Sequence, residues 1–306
     1  MSADPSTLFE AFPSTPETTW QRHWRNYRRS RIAVLALIMF GIIVLCAVFA
    51  NFLSLQNPYD LMQIDFRDGM RPPGSQSAAG TMLILGSDGQ GRDMWSAILY
   101  GLRISLIVGI GSALIAALIG TLLGLLAAFA GGRTDSLIMR LVDLQLSFPT
   151  ILVAFIILAV LGKGITNVVL ALIIVEWATY ARTARATALV EMKREYIEAA
   201  HCLALPWWKI ITRHLMPNCM PPLIVVATMQ VARAISLEAT LSFLGLGVPV
   251  NEPSLGMLIA NGYQYMLSGQ YWVTLYPGIA LALTVLSINL VGDRIRDIVN
   301  PRGEDE

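Results

Sequence analysis

Residues Ile104 to Ala130 read ISLIVGIGSALIAALIGTLLGLLAAFA, a run of 27 residues without a charge. A helix needs about 20 apolar residues to cross the hydrocarbon of a bilayer, so this stretch crosses with tilt or protrudes. Around it the chain keeps the same character. Hydrophobic residues make up 55% of the 306 residues and charged residues only 14%. A soluble chain carries roughly 25% charge, so lipid must replace water over much of this surface.

Five more apolar runs flank it: Ile32–Ala50, Leu144–Leu161 with Pro149 near its start, Ile165–Ala181 around Glu176, Pro222–Leu246 around Arg233 and Glu238, and Trp272–Val291. The expected fold class is an all-α membrane protein with six transmembrane helices. Its parts are a tail at 1–31, a first helix at 32–50, a segment at 51–103 outside the cytoplasm, a five-helix core at 104–291, and a tail at 292–306. The first twenty residues hold no apolar run of the kind a cleavable signal has, so the first span is expected to stay as an anchor. Lysine and arginine set the orientation. With the N-terminus inside, sixteen of them fall on cytoplasmic pieces and five outside, with Arg233 inside a span. Both termini are therefore expected in the cytoplasm.

Other stretches give finer expectations. Trp20, Trp24 and Tyr27 recur at helical spacing among Arg22, Arg25, Arg28 and Arg29, which fits either a helix lying on the inner membrane face or an unstructured basic tail. Pro72-Pro73-Gly74-Ser75 marks a turn-rich, mobile stretch. Gly120 and Gly124 allow a close helix contact. The uncharged run from Pro253 to Gly292 is too long for one span, so Ser254–Ser268 is expected to form a short helix at the outer mouth. Cys46, Cys202 and Cys219 have no metal-ligand spacing, and neither do His23, His201 and His214.

The most informative stretch lies between the fourth and fifth spans: EYIEAAHCLALPWWKIITRHLMPN, residues 195–218, in a cytoplasmic piece of about 40 residues where bundle connections usually run 2–8. It resembles the EAA loop of importer-class ABC permeases, which reads Glu-Ala-Ala, three residues, Gly, nine residues, Ile-x-Leu-Pro. Glu198, Ala199 and Ala200 match its opening and Pro217 its closing proline. Ala204 stands at the Gly position, and His214 and Met216 at the Ile and Leu positions. The family glycine breaks the loop into two helices. Alanine lacks that freedom at positive φ, so Pro206 is expected to supply the break by restricting Leu205.

Two further stretches resemble the dipeptide and oligopeptide "C" type of this family. These are Leu85–Asp93 with Gly101–Leu106, and Leu241–Gly247 with Gly292–Asp297 and Asn300-Pro301. The resemblance implies the importer-type ABC permease fold in a bacterial cytoplasmic (inner) membrane. It implies a second homologous permease subunit, two ATP-binding subunits that hold ATP and Mg, and an extracytoplasmic solute-binding protein. It implies no cofactor in this chain itself, and no nucleic acid. The chain has no Gly-x-x-x-x-Gly-Lys-Ser/Thr phosphate loop, so it is not expected to act as an ATPase or other enzyme.

The coupling residues implied are Glu198, Ala199, Ala200, Ala204, Pro206, Trp207 and Pro217. Trp207-Trp208 would either bury aromatic area at the ATPase contact or anchor the loop in the headgroups. Glu176, Arg233 and Glu238 are costly in lipid and should face the bundle interior or a watery path. They are the candidates for the solute path, for a Glu176–Arg233 ion pair, or for contact with the partner permease. The competing functional reading is a stand-alone ion-coupled secondary transporter, which should show paired repeats and broken midplane helices.

Overall fold

Pro149 decides how the chain turns in the middle of the bundle. In the structure, a computed structural model that describes residues 19–60, 62–249 and 252–299, helix does not run through it. Phe148 is extended at φ −95, ψ 145, as a residue before proline prefers. The run Leu144–Leu161 is therefore split into α5 (Gly132–Ser147) and α6 (Thr150–Leu161), which meet at 93°. The twelve residues of α6 reach only about 18 Å. This corrects the expectation of a single straight third span.

Before this corner come α1 (Thr19–Arg28), α2 (Arg31–Val48), α3 (Ala50–Leu53) and α4 (Met94–Ala130). After it come α7 (Ile165–Glu191), α8 (Glu195–Cys202), α9 (Trp207–Lys209), a π-helical stretch Ile210–Leu215, α10 (Met216–Phe243), α11 (Leu255–Tyr263) and α12 (Trp272–Val299). Helix is continuous from Trp207 to Phe243, so among the described residues five helices are long and apolar enough to cross a membrane.

Packing supplies the sixth crossing. Ile104 and Val108 of α4 share a core with Val168, Ala171 and Leu172 of α7, while Leu125 and Ala128 share one with Ala184 and Ala188. The two helices run parallel. A chain that leaves the end of α4 must come back before it can start α7, and the bent pair α5–α6 makes that return. Six crossings place both described ends on one side, and there they touch: Arg294 of α12 donates to the Asn26 carbonyl of α1 at 2.5 Å.

The α4–α7 contact depends on missing side chains. A Cβ on Gly120 would lie 2.3 Å from the Trp177 carbonyl oxygen, and one on Gly124 would lie 2.4 Å from that of Ala181. Backbones this close maximise dispersion contact in a medium where lipid offers no hydrophobic drive for helix association. On the other side of α7, Asp135 accepts from Arg185 at 2.5 and 2.6 Å, and Asp143 accepts from Arg182 at 2.5 Å. These pairs bind α5 to α7.

Segment 51–93 is a folded cap. It contains a short hairpin, β1 (Ser75–Gln76) paired with β2 (Met82–Leu83). Pro72–Ser75 leads into it, with the Gly74 amide donating to the Leu83 carbonyl at 2.8 Å. The stretch Leu85–Asp93 closes the cap. Gly86 and Gly91 have φ of 78 and 82, and a Cβ on Gly91 would lie 2.2 Å from the Asp65 carbonyl oxygen. Buried Asp88 and Arg92 pair at 2.7 Å. Asp93 then caps α4, accepting from Ser96 N at 2.8 Å and Ser96 Oγ at 2.6 Å. This capping starts α4 ten residues before the uncharged run does. Arg103 lies within the added length and donates to the carbonyls of Ala47 and Val48 at the end of α2.

α11 forms inside the interval expected for a short helix, and its nine residues reach only about 14 Å. It is drawn tight onto the bundle because Gly256 lies against Ala239 and Gly262 against Thr274. α1 also forms, although the side chain of Trp20 and the Asn300-Pro301 pair lie outside the described residues.

Candidate functional site

The segment opening on Glu195 is a helical hairpin at the end of the bundle. α7 continues to Glu191 and helix resumes at Trp207, so the connection is residues 192–206 rather than about 40. Helix α8 within it is amphipathic. Ile197 and Ala200 are buried against Ile210, with Leu205 packed alongside. Glu195, Glu198, Ala199 and His201 face outward. The two alanines therefore do different things. Ala200 lets α8 close on its own hairpin partner, and Ala199 leaves the outer surface low.

The hairpin turns at Ala204, whose φ is +51. The Ala204 amide donates to the His201 carbonyl at 2.9 Å and the Leu205 amide to the Ala200 carbonyl at 3.2 Å. This pair of bonds is a Schellman motif, with Leu205 making its usual apolar contact back to the helix. The expectation that Pro206 would replace the glycine is corrected here: Ala204 itself takes the left-handed conformation. Pro206, at φ −62 and ψ 142, instead starts the next helix. Pro217 breaks nothing, because it lies in the first turn of α10, where the helix arrives through the π-helical Ile210–Leu215.

Trp207 and Trp208 are both exposed, and Trp207 approaches Phe129 at the end of α4 with ring centroids 6.3 Å apart. Tyr196 is fastened to α7 through its hydroxyl, which donates to Glu191 at 2.6 Å. Burial, followed by this bond and the Glu191 charge, pushes its phenol up to about 12.

The three intramembrane charges occupy different environments. Glu238 has no exposed surface and accepts from Ser105 at 2.9 Å and Ser242 at 2.8 Å, inside the subunit. Arg233 is exposed and donates to Thr150, the first residue of α6 after the corner, at 2.9 Å. Glu176 is buried, and neither carboxylate oxygen has a hydrogen-bond partner among the described residues. No Glu176–Arg233 ion pair forms among the described residues. Ser242 lies four residues on, one helical turn from Glu238, but Ser105 is 133 residues away and could not be found from the sequence neighbourhood.

Residues 120–304 match the family model described as binding-protein-dependent transport system inner membrane component, and residues 18–73 match the N-terminal transmembrane domain of oligopeptide transport permease C. The chain belongs to the binding-protein-dependent inner-membrane permease family. It is similar to the di/tripeptide transport system permease protein DppC of Pseudomonas aeruginosa, 38% identical over 98% of this chain and 96% of the relative. It is 37% identical to the dipeptide permease DppC of Escherichia coli, over 94% of each chain. It is also 37% identical to the glutathione permease GsiD of Pectobacterium atrosepticum, over 93% of this chain and 92% of that one.

Among solved structures, the inward-facing MetNI methionine ABC transporter contains a chain that matches with a TM-score of 0.56. The identity is 22%, covering 68% of this chain and 98% of that one, so this likeness speaks to fold alone. The permease is an all-α, multi-pass inner-membrane subunit of an ABC importer, of the dipeptide/oligopeptide C type. This identity favours the importer over a stand-alone ion-coupled transporter.

Proposed function

We propose that this permease forms half of a path that carries a peptide-like solute into the cytoplasm, and that α8 is where ATPase motion enters the membrane bundle. The solute class rests on the relatives, whose names specify di/tripeptides, dipeptides and glutathione. The other half of the path is a second homologous permease subunit. Two ATP-binding subunits hold ATP and Mg, and an extracytoplasmic binding protein delivers the solute. In this reading α8 and both described ends of the chain face the cytoplasm, which is supported by the excess of lysine and arginine on that side.

The observation that carries the coupling reading is the shape of α8. It is a short helix held to the end of the bundle by one apolar face, with Glu198 and Ala199 presented outward. A carboxylate there can make charge-assisted hydrogen bonds to a partner, and the small Ala199 lets that partner approach. Arg233, exposed beside the α5–α6 corner, is the strongest of the three charges for a role on the solute path or against the second permease. Glu176 and Glu238 are closed off within the subunit.

The test is a purified complex carrying Glu198→Lys or Ala199→Trp. Each should leave the permease inserted while reducing ATPase association or solute-stimulated hydrolysis by at least tenfold. Normal retention of the ATPases together with normal stimulated hydrolysis in both variants would remove α8 as the coupling element.

A further inference from the structure

The cap formed by segment 51–93 encloses a cavity of about 580 Å³ that the proposed function does not use. Leu55, Ile64 and Leu83 give it apolar walls, and Asp65, Asp68 and Asp93 give it carboxylates. Two of the three carboxylates have a cation of their own. Asp65 pairs with Arg67 at 2.8 Å, and Asp68 pairs with Arg71 at 2.8 Å and accepts from the Ala78 amide at 2.7 Å. Asp93 differs. It is only 2% exposed, its Oδ2 is taken by the amide and hydroxyl of Ser96, and its Oδ1 has no hydrogen-bond partner among the described residues. A buried carboxylate left in this way is costly until a donor of opposite charge reaches it.

We infer that the cap binds a small organic amine, with its ammonium on Asp93 and its apolar group against Leu55, Ile64 and Leu83. The three carboxylates exclude an anion. A metal ion needs several oxygen ligands, and no group of three residues suited to hold one occurs among the described residues. A lysine side chain reaching in from a docked protein brings the same charge but leaves most of the cavity unfilled. Sites for whole small molecules run to about 300–1,000 Å³, and they combine apolar walls with a few placed polar groups. The amino end of a peptide with an apolar first residue has the required chemistry. Only this choice of natural amine rests on the peptide reading of the transporter.

The test uses the full-length chain in its purified transporter complex, without the binding protein, and isothermal titration calorimetry. L-Leucinamide should bind at one site per copy of this chain. N-acetyl-L-leucinamide keeps the apolar group but lacks the ammonium, so it should bind roughly tenfold more weakly or worse. Asparagine caps helices as well as aspartate does, so Asp93→Asn should leave α4 intact and weaken L-leucinamide by a similar factor. Ala79→Trp fills the cavity from its exposed rim with every carboxylate in place, and it should also abolish binding; Ala79→Phe serves if the first variant does not assemble. Nα-acetyl-L-lysine N-methylamide, which offers only a side-chain ammonium, should bind more weakly than L-leucinamide. No binding of L-leucinamide, equal binding of its acetylated form, binding unchanged by Asp93→Asn or by the fillers, or tighter binding of the lysine derivative would each overturn the inference. Dipeptide uptake by the intact system is followed in parallel, and uptake that persists while cap binding fails would leave the peptide reading standing.

Discussion

Replacing Ala204 with glycine should stabilise the coupling hairpin, although the same replacement five residues earlier should weaken it. At φ +51 the Ala204 Cβ crowds its own carbonyl. The left-handed region costs a residue with a Cβ roughly 1–2 kcal/mol. Glycine removes that cost but gives the unfolded chain about 0.4–1 kcal/mol of extra conformational freedom. The net gain is about 0.5–1 kcal/mol. Ala199 is helical and exposed, so Ala199→Gly brings no relief and loses about 1 kcal/mol of helix propensity. Hydrogen exchange of the amides in 199–210, followed by mass spectrometry on the purified complex, reads both changes. Ala204→Gly should slow exchange roughly two- to fivefold, and Ala199→Gly should speed it by a similar factor. If both substitutions speed exchange, the Schellman turn is not the resting conformation at Ala204 and the account of the hairpin is wrong.

Gly124→Ala should lower the thermal unfolding temperature of the permease, because its Cβ would lie 2.4 Å from a backbone oxygen and overpacking of this kind costs about 1–3 kcal/mol. Gly111→Ala on the same helix meets nothing within 4 Å and should be neutral or slightly stabilising; matching effects at the two sites would refute the close α4–α7 approach. Tyr196→Phe should speed amide exchange near the start of α8 by a factor that, once corrected for intrinsic rates, is the same at pH 6 and pH 9. The folded phenol is raised to about 12 from 10, so its contribution is complete below pH 10 and is lost only as pH climbs through 12. A factor that falls between pH 6 and 9 would show that the hydroxyl already ionises there.

The sequence speaks clearly where burial in lipid is the only requirement. Apolar runs report it directly, which is why the bands of helix and the non-crossing α11 were legible. Direction is another matter. Hydropathy over Leu144–Leu161 is the same whether the chain runs straight or turns by 93°, and the turn follows from the extended conformation that Pro149 imposes on Phe148. Helix ends were also obscured, because a polar residue near an apolar run can end a span or extend it. Arg103 extends α4 since the carbonyls ending α2 stand ready to receive it. The partners of Glu238 illustrate the same limit. Its cost in lipid is plain from composition, but the hydroxyl of Ser105 reaches it only through packing.

Ala204 is where a sequence rule and the fold disagree most instructively. Local preference places alanine away from positive φ and makes Pro206 the natural breaker. The hairpin overrides this because Leu205 must turn inward to join Ile197, Ala200 and Ile210, and only a left-handed residue before it brings the chain around in so few steps. The same contact gives the proposed coupling its route. Ile210 belongs to the helix that continues from Trp207 to Phe243, and that helix carries Arg233 about 35 Å further on. A push on α8 therefore bears on Ile210 and is passed along a single helix to Arg233, whose guanidinium holds Thr150 at the corner of α5 and α6. In the proposed mechanism no flexible linker intervenes between the surface an ATPase would move and the bend in the membrane that would have to respond.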